Sequence, residues 1–294
     1  ITDPAPNLAV EVSWRGFLRA LEHPPFASRV SIELRLQRAL CGTDDRHAAG
    51  VAVLRLSDAQ RPLGPVHVLP TTEAACGLLT VLDIGLDLDD ADPVVARLTP
   101  DDVPSLWPVP TAEDDKYSRG VVGINAGGER YTGAALLSVT AAVTAGAGMV
   151  RYIGPPHPTE LVRAAVPEAV PGEGRVQAWV VGPGLDTTST APGADAQLAA
   201  ARAALDSDLP VLVDAGGLDL VTGRRDAPTL LTPHAGECAR MISRLRERST
   251  ELTREEVEGS PLEHARMLAG LTGATVLLKG SATLVVDVDG PVHV

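Results

Sequence analysis

From residue 120 onward the chain alternates between short β-branched apolar runs and alanine-rich stretches of helical length. "VVGINAG" at 121–127 is followed by Thr132–Ala147, "MVRYIG" at 149–154, a helix after Pro158, and "VQAWVVG" at 176–182. The series continues through Ala194–Leu205, "PVLVDAG" at 210–216, "TLLTP" at 229–233, two further helices and "TVLLKG" at 275–280. Strands buried on both faces read as near-continuous apolar runs, and helices of about 10–15 residues between them build βαβ units. The pattern therefore predicts the α/β class: a largely parallel sheet with helices on both faces. One helix boundary is marked most clearly. Ser260 is placed to cap, Pro261 suits the first helical position, and Glu263 completes a capping box.

The first 80 residues lack this order. Arg and Pro are frequent, apolar periodicity is weak, and the pattern assigns them no fold. It resumes at "LLTVLDIGLDLDDADPVV" (78–95), a buried strand running into an acidic stretch. Asp87, Asp89, Asp90 and Asp92 read as a solvated turn in preference to a cation site. "LTPDDVPSLWPVPTAEDDKYSRG" (98–120), rich in Pro and Asp, reads as a linker with one short helical turn. A domain boundary is expected within 105–115, dividing the chain into 1–110 and 111–294.

Composition narrows the function classes. Of 294 residues, 45% are hydrophobic and 21% charged, the mix of an ordinary globular protein. A net charge of −13 opposes general attraction to nucleic acid or anionic lipid, so a phosphate ligand has to be captured locally. No apolar run approaches the roughly 18 residues of a membrane span. Cys41, Cys76 and Cys238 are few, scattered and odd in number, which points to a reducing compartment and a cytoplasmic location. Only Lys116 and Lys279 are lysines among 25 basic residues. The chain opens on Ile1 and stops at Val294 just after a strand-like run, and both ends are expected to be cut.

Familiar phosphate loops, serine-hydrolase elbows and HExxH zinc motifs are absent. What remains is a set of strand ends finishing in small or polar residues, and in an open parallel sheet the ligand crevice lies outside those ends. Gly133, Ala134 and Ala135 open a helix where backbone N–H groups could meet a ligand, although tight packing explains them equally well. Gly182 and Gly184 follow a buried strand, as a close backbone approach or a sharp turn. Asp214 ends its strand as a carboxylate for magnesium-bound water or a loop N–H, or as a helix cap. His234 and Glu237 lie between strand and helix. Lys279 precedes Gly280, Ser281, Ala282 and Thr283, a small-residue hairpin suited to phosphate or ribose, or an ordinary turn.

Taken in order, "KYSRGVVGINAGG", "YTGAALLSVTAAVTAGAGMVRYIG", "GPGLD", "VDAGGLDLV", "LTPHAGE" and "LLKGSATLV" resemble the carbohydrate-kinase-like (YjeF C-terminal) domain of NAD(P)H-hydrate repair enzymes. The resemblance covers about residues 81–294, with "TVLDIGLDLDD" similar to the closing strand of the epimerase domain in bifunctional members; residues 1–110 would be a remnant of that domain. It implies a ribokinase-like fold and the ADP- or ATP-dependent dehydration of (S)-NADHX or NADPHX, with Mg2+. By the same resemblance, Ala134, Gly184 and His234 contact the hydrated nicotinamide nucleotide. Lys279 through Thr283 bind the adenine nucleotide, with Asp214 and Glu237 in support. No metal ligand is assigned. The family's catalytic Asp lies in a glycine-rich segment that residues 280–294 do not supply. The chain as given is therefore expected to bind but not turn over, to be incomplete at its C-terminus, and to leave a sheet edge bare. A homo-oligomer is expected, with neither nucleic acid nor membrane as partner. The alternatives are another ribokinase-like small-alcohol kinase, or a non-catalytic nucleotide-binding fragment.

Overall fold

The computed structural model describes residues 96, 100, 102–107, 109–246, 251–290 and 292–294. All belong to the unit Val94–Val294. Residues 1–80, the acidic stretch at 87–92, Cys41 and Cys76 lie outside the described residues.

The linker carries the one short turn expected of it, α1 (Val103–Leu106). The alternating series then follows: β1 (Val121–Asn125), α2 (Thr132–Thr144), β2 (Met149–Ile153), α3 (Pro156–Ala165), β3 (Ala169–Pro171) and β4 (Ala178–Val181). Next come α4 (Ala194–Leu205), β5 (Val211–Val213), a 3-10 segment (Ala215–Leu220), β6 (Thr229–Leu231) and α5 (Ala235–Leu245). Then α6 (Arg254–Gly259), α7 (Pro261–Thr272), β7 (Thr275–Leu278), β8 (Leu284–Val286) and β9 (Val292–His293) complete the unit.

The nine strands form one sheet in the order β3-β2-β1-β4-β5-β6-β7-β8-β9. Every pairing from β3 to β7 is parallel, and β7-β8 and β8-β9 are antiparallel. The chain winds outward from β1 in one direction through β2 and β3, then in the other from β4. Right-handed crossovers running in opposite directions place their helices on opposite faces. Two separate cores record this. One gathers Ile124, Val150, Tyr152 and Val162 under α2 and α3; the other gathers Val181, Val213, Leu231 and Val276 with α4, α5 and α7. Adjacent residues of β4 divide between them, Val180 packing against the first and Val181 within the second. Gly123 leaves room on β1 for the Trp179 ring, which a Cβ would overlap.

Three local features differ from the expectation. α7 starts at Pro261 as expected, but no capping box forms, because Ser260 also ends α6. Its N–H is donated to Glu256 O and Val257 O, each at 3.2 Å, so it is not free for Glu263. Its ψ of 61° also departs from the extended values near 160–170° at the caps that do form, Thr253 and His234. Three helices, rather than two, lie between β6 and β7, the extra one being α6 with its own Thr253–Glu256 capping box. At the sheet end where the sequence implies a bare edge, Ala96 bridges His293 in parallel, with Ala96 N donating to Val292 O at 2.7 Å.

Candidate active site

Parallel register brings the ends of β5, β6 and β7 side by side. Leu212 pairs with Leu230 and Leu231 with Val276, and beyond the ladder His234 bridges Lys279. The residues just past each strand end therefore converge. Lys279 Nζ lies 2.7 Å from Asp214 Oδ1 and 4.0 Å from Glu237 Oε2. Thr232 Oγ1 donates to the same Asp214 oxygen at 2.9 Å. The Lys279 side chain keeps 41% of its accessibility and Asp214 26%, so the ion pair is partly solvated. Such a pair contributes about 1 kcal/mol or less to stability. Its consequence is placement: the ammonium is held at the carboxyl edge, partly exposed, with donors left over for a ligand. Asp214 flanks the 3-10 segment without a side-chain cap bond, which disposes of the helix-cap reading. Directly after it, Ala215 has φ 46°, the left-handed region that a residue with a Cβ enters at a cost.

His234 and Glu237 are locked by helix capping. His234 Nδ1 accepts from the N–H groups of Gly236 (3.1 Å) and Glu237 (3.3 Å), while Glu237 Oε2 accepts the His234 backbone N–H at 2.8 Å. This is a complete capping box with histidine in the place usually taken by Ser, Thr, Asp or Asn. Gly236 allows it, since a Cβ there would stand 3.1 Å from the ring carbon Cε1. Four residues into α5, Cys238 is fully buried, and burial pushes its thiol up to about 12, so it is a core residue rather than a nucleophile.

The other half of the edge lies where the winding reverses, between β1 and β4. A Cβ at Gly184, whose φ is 69°, would come within 2.6 Å of Ala134 Cβ and 3.0 Å of Tyr131 Cβ, so two positions expected to meet the same ligand are neighbours. The loop after β1 is fixed from three sides. Gly127 N donates to Pro183 O at 2.6 Å, Gln197 Nε2 to Gly127 O at 2.7 Å, and the buried Tyr152 hydroxyl to Ala126 O at 2.8 Å. Asn125, fully buried at the end of β1, donates Nδ2 to Gln197 O at 2.9 Å and leaves Oδ1 without a partner. Gly182, with φ 113°, joins the two halves, because a Cβ there would overlap Asp214 O and stand 2.5 Å from Gly217 N. Gly280, Ser281 and Thr283 are exposed in the turn between β7 and β8.

Sequence reading missed the supporting residues Thr232, Tyr152 and Gln197, and the half-exposed Tyr131 at the rim. Only Tyr131 carried a signal, as an aromatic just ahead of a small-residue helix start. Among the described residues no helix is long and apolar enough to cross a membrane, and no group of three or more His, Cys, Asp or Glu is placed to hold a metal.

A doubly wound, largely parallel sheet with a lysine, two carboxylates and closely packed glycine turns on its carboxyl edge defines an α/β protein whose candidate ligand site lies outside the carboxyl ends of the strands. The family model for NAD(P)H-hydrate dehydratase matches residues 122–294, and the chain belongs to that family, whose activity is that of a lyase. The chain is 46% identical over 249 residues to the bifunctional NAD(P)H-hydrate repair enzyme Nnr of Mycobacterium tuberculosis, covering 79% of this chain and 46% of that protein. Its counterpart in Mycobacterium leprae is 45% identical over 248 residues, with the same shares. The chain thus spans about half the length of the curated relatives it matches. Among solved structures it is similar to the ADP/ATP-dependent NAD(P)H-hydrate dehydratase of Bacillus subtilis co-crystallized with ATP/Mg2+. That likeness has a TM-score of 0.57 and 27% identity, over 68% of this chain and 72% of that one. A ribokinase-like superfamily protein of Enterococcus faecalis shares the fold, with a TM-score of 0.54 at 22% identity, over 68% and 70%.

Proposed function

We propose that this chain is the dehydratase half of a nicotinamide-nucleotide repair enzyme, acting in the cytoplasm on hydrated NADH or NADPH at the expense of ADP or ATP. Residues 111–294 belong to the dehydratase domain in this reading, and residues 1–110 are the remnant of an epimerase domain. The observation that carries it is the Lys279–Asp214 pair beside the His234–Glu237 box, on the same edge as the neighbours Gly184 and Ala134.

Phosphoryl transfer to the hydroxyl on C6 of the hydrate turns a poor leaving group into a good one. Departure of phosphate with the C5 proton then restores the double bond. The protein's part is positioning and charge stabilisation. Lys279 meets phosphate oxygens as a point charge whose direction Asp214 fixes, and the turn 280–283 lets nucleotide approach the backbone. Gly184 and Ala134 bring small residues to the nicotinamide ring, and His234 meets it from the start of α5. Magnesium fits as a nucleotide-borne ion held by phosphates and waters, with the second carboxylate oxygen of Asp214 as the protein group to hold it; it would draw off charge from the transferring phosphoryl group. No described residue is cast as the base that takes the hydroxyl proton. Self-association is part of the reading.

Thermal unfolding of the 294-residue protein tests this. Hydrated NADH, and separately ADP with magnesium, should each raise the midpoint, as a ligand at a hundred times its dissociation constant adds about 2.7 kcal/mol. No shift with either, or phosphorylation of a small alcohol without recovery of reduced nicotinamide absorbance, would overturn it.

A further inference from the structure

Histidine is an unusual helix cap, and the cap decides where its proton is. A neutral imidazole has one acceptor and one donor nitrogen, and the partner of one nitrogen fixes the other. Here Nδ1 faces two backbone N–H groups, of Gly236 at 3.1 Å and Glu237 at 3.3 Å. Both are donors, so Nδ1 carries no hydrogen and Nε2 must. The choice is enforced again by Glu237, whose carboxylate closes the box on the His234 backbone N–H at 2.8 Å and holds the helix start in place. Glu237 is itself only 12% exposed and lies 4.0 Å from Lys279 Nζ, so its position is set from the far side as well. The Nε2 end is left over. Its nearest acidic oxygen, Glu237 Oε1, is 3.5 Å away, longer than a good hydrogen bond, and the side chain is 50% exposed.

We propose that the α5 capping box fixes His234 as the Nε2–H tautomer, making it a hydrogen-bond donor to an oxygen of the hydrated nicotinamide, with Glu237 as the residue that positions it. The inference rests on the functional reading above for the identity of the ligand, not for the tautomer. It specifies the ligand group that His234 accepts: a hydroxyl or carboxamide carbonyl oxygen can face Nε2, and the carboxamide NH2 cannot. It also explains why Gly236 and Glu237 accompany the histidine. Gly236 makes room for the ring, and Glu237 secures the helix start whose N–H groups set the proton.

Two measurements test it on the 294-residue protein. The first is nitrogen-15 NMR of the imidazole rings at a pH where His234 is neutral, its signal among the seven histidines being identified by its loss in His234→Asn. A pyridine-type Nδ1 with a pyrrole-type Nε2 is expected, and Glu237→Gln should admit some of the other tautomer. An Nδ1–H ring or an even mixture in the unsubstituted protein overturns the proposal, whatever the ligand is. The second is calorimetric binding of hydrated NADH to the protein carrying Nε2-methylhistidine at 234. It keeps the cap acceptor Nδ1, so it should unfold at the midpoint of the unsubstituted protein. The methylated ring has no donor and should lose roughly tenfold to a hundredfold in affinity, the effect of one hydrogen bond left unmade. Unchanged affinity with the methylated ring overturns the donor role. No binding by the unsubstituted protein overturns the functional reading instead, and the NMR result still decides the tautomer.

Discussion

The carboxyl edge of this sheet is built in two ways. Between β1 and β4 it is shaped by what is missing: Gly182 and Gly184 carry no side chain and let the loops after β1, β4 and β5 pack closely, and the supports, Tyr152 and Gln197, reach only carbonyl oxygens. From β5 to β7 it is shaped by what is present, with Asp214, Lys279, Glu237 and His234 converging as charges and donors. The difference follows from the winding. At the reversal point neighbouring helices diverge to opposite faces and open a cleft that side chains would fill. Past β5 the winding runs one way, so strand ends stay close and polar side chains from successive strands can touch. The first half is set by close packing and the second by charge. Substitutions in the first should therefore act on folding, and those in the second on binding.

Gly182 gives the largest expected effect. It combines φ 113° with backbone atoms of the turn after β5, Asp214 O and Gly217 N, which are hydrogen-bonded to each other and cannot easily step aside. Gly182→Ala should cost roughly 3–5 kcal/mol in urea unfolding, backbone strain and overpacking together. A loss below about 1 kcal/mol would mean that the two halves are not clamped together there. Lys279→Met makes the opposite test. Removing the charge should change stability by about 1 kcal/mol or less, because the pair with Asp214 is partly solvated. Calorimetry should nevertheless show ADP affinity falling about tenfold to a hundredfold, the range for a hydrogen bond to a charged group. If stability fell and ADP affinity did not, the charged half would be a fold element rather than a binding one.

The two halves were also unequally legible in the sequence. The alternating apolar runs predicted the parallel strands from β1 to β7, except the three-residue β3, whose "AVP" offers too few positions to show a period. Lys279 stood out by rarity, and its hairpin by small residues ahead of an apolar run. The contact between Gly184 and Ala134 was invisible, since it joins turns some fifty residues apart and depends on how β1 and β4 lie together. The caps show the limit of local patterns. Ser260 with Glu263 has the spacing of a capping box and forms none, because α6 ends on the same residue and uses its N–H. His234 with Glu237 has the same spacing and forms one, hidden because histidine is rarely read as a cap. Spacing states which bonds are possible; the neighbouring element decides which groups are free.

The smallest expected effect probes whether the uncharged half works by volume alone. At Gly184 the φ of 69° is the left-handed region, where alanine costs about 1–2 kcal/mol by itself. Beyond this, the new methyl would stand 2.6 Å from Ala134 Cβ, too close for two carbons. Only the second part can be relieved from the other side. Ala134→Gly removes that methyl, at a cost of its own of up to about 1 kcal/mol in a helix. A double-mutant cycle on urea unfolding separates the parts: Gly184→Ala with Ala134→Gly should be more stable than the two single costs add up to, by about 0.5–1 kcal/mol. The residual cost is the backbone term, which no change at 134 can restore. Zero coupling would mean that the loop moves away and that its packing on α2 does not set this part of the edge. The selectivity of this half would then have to come from polar groups, as on the other side of Gly182.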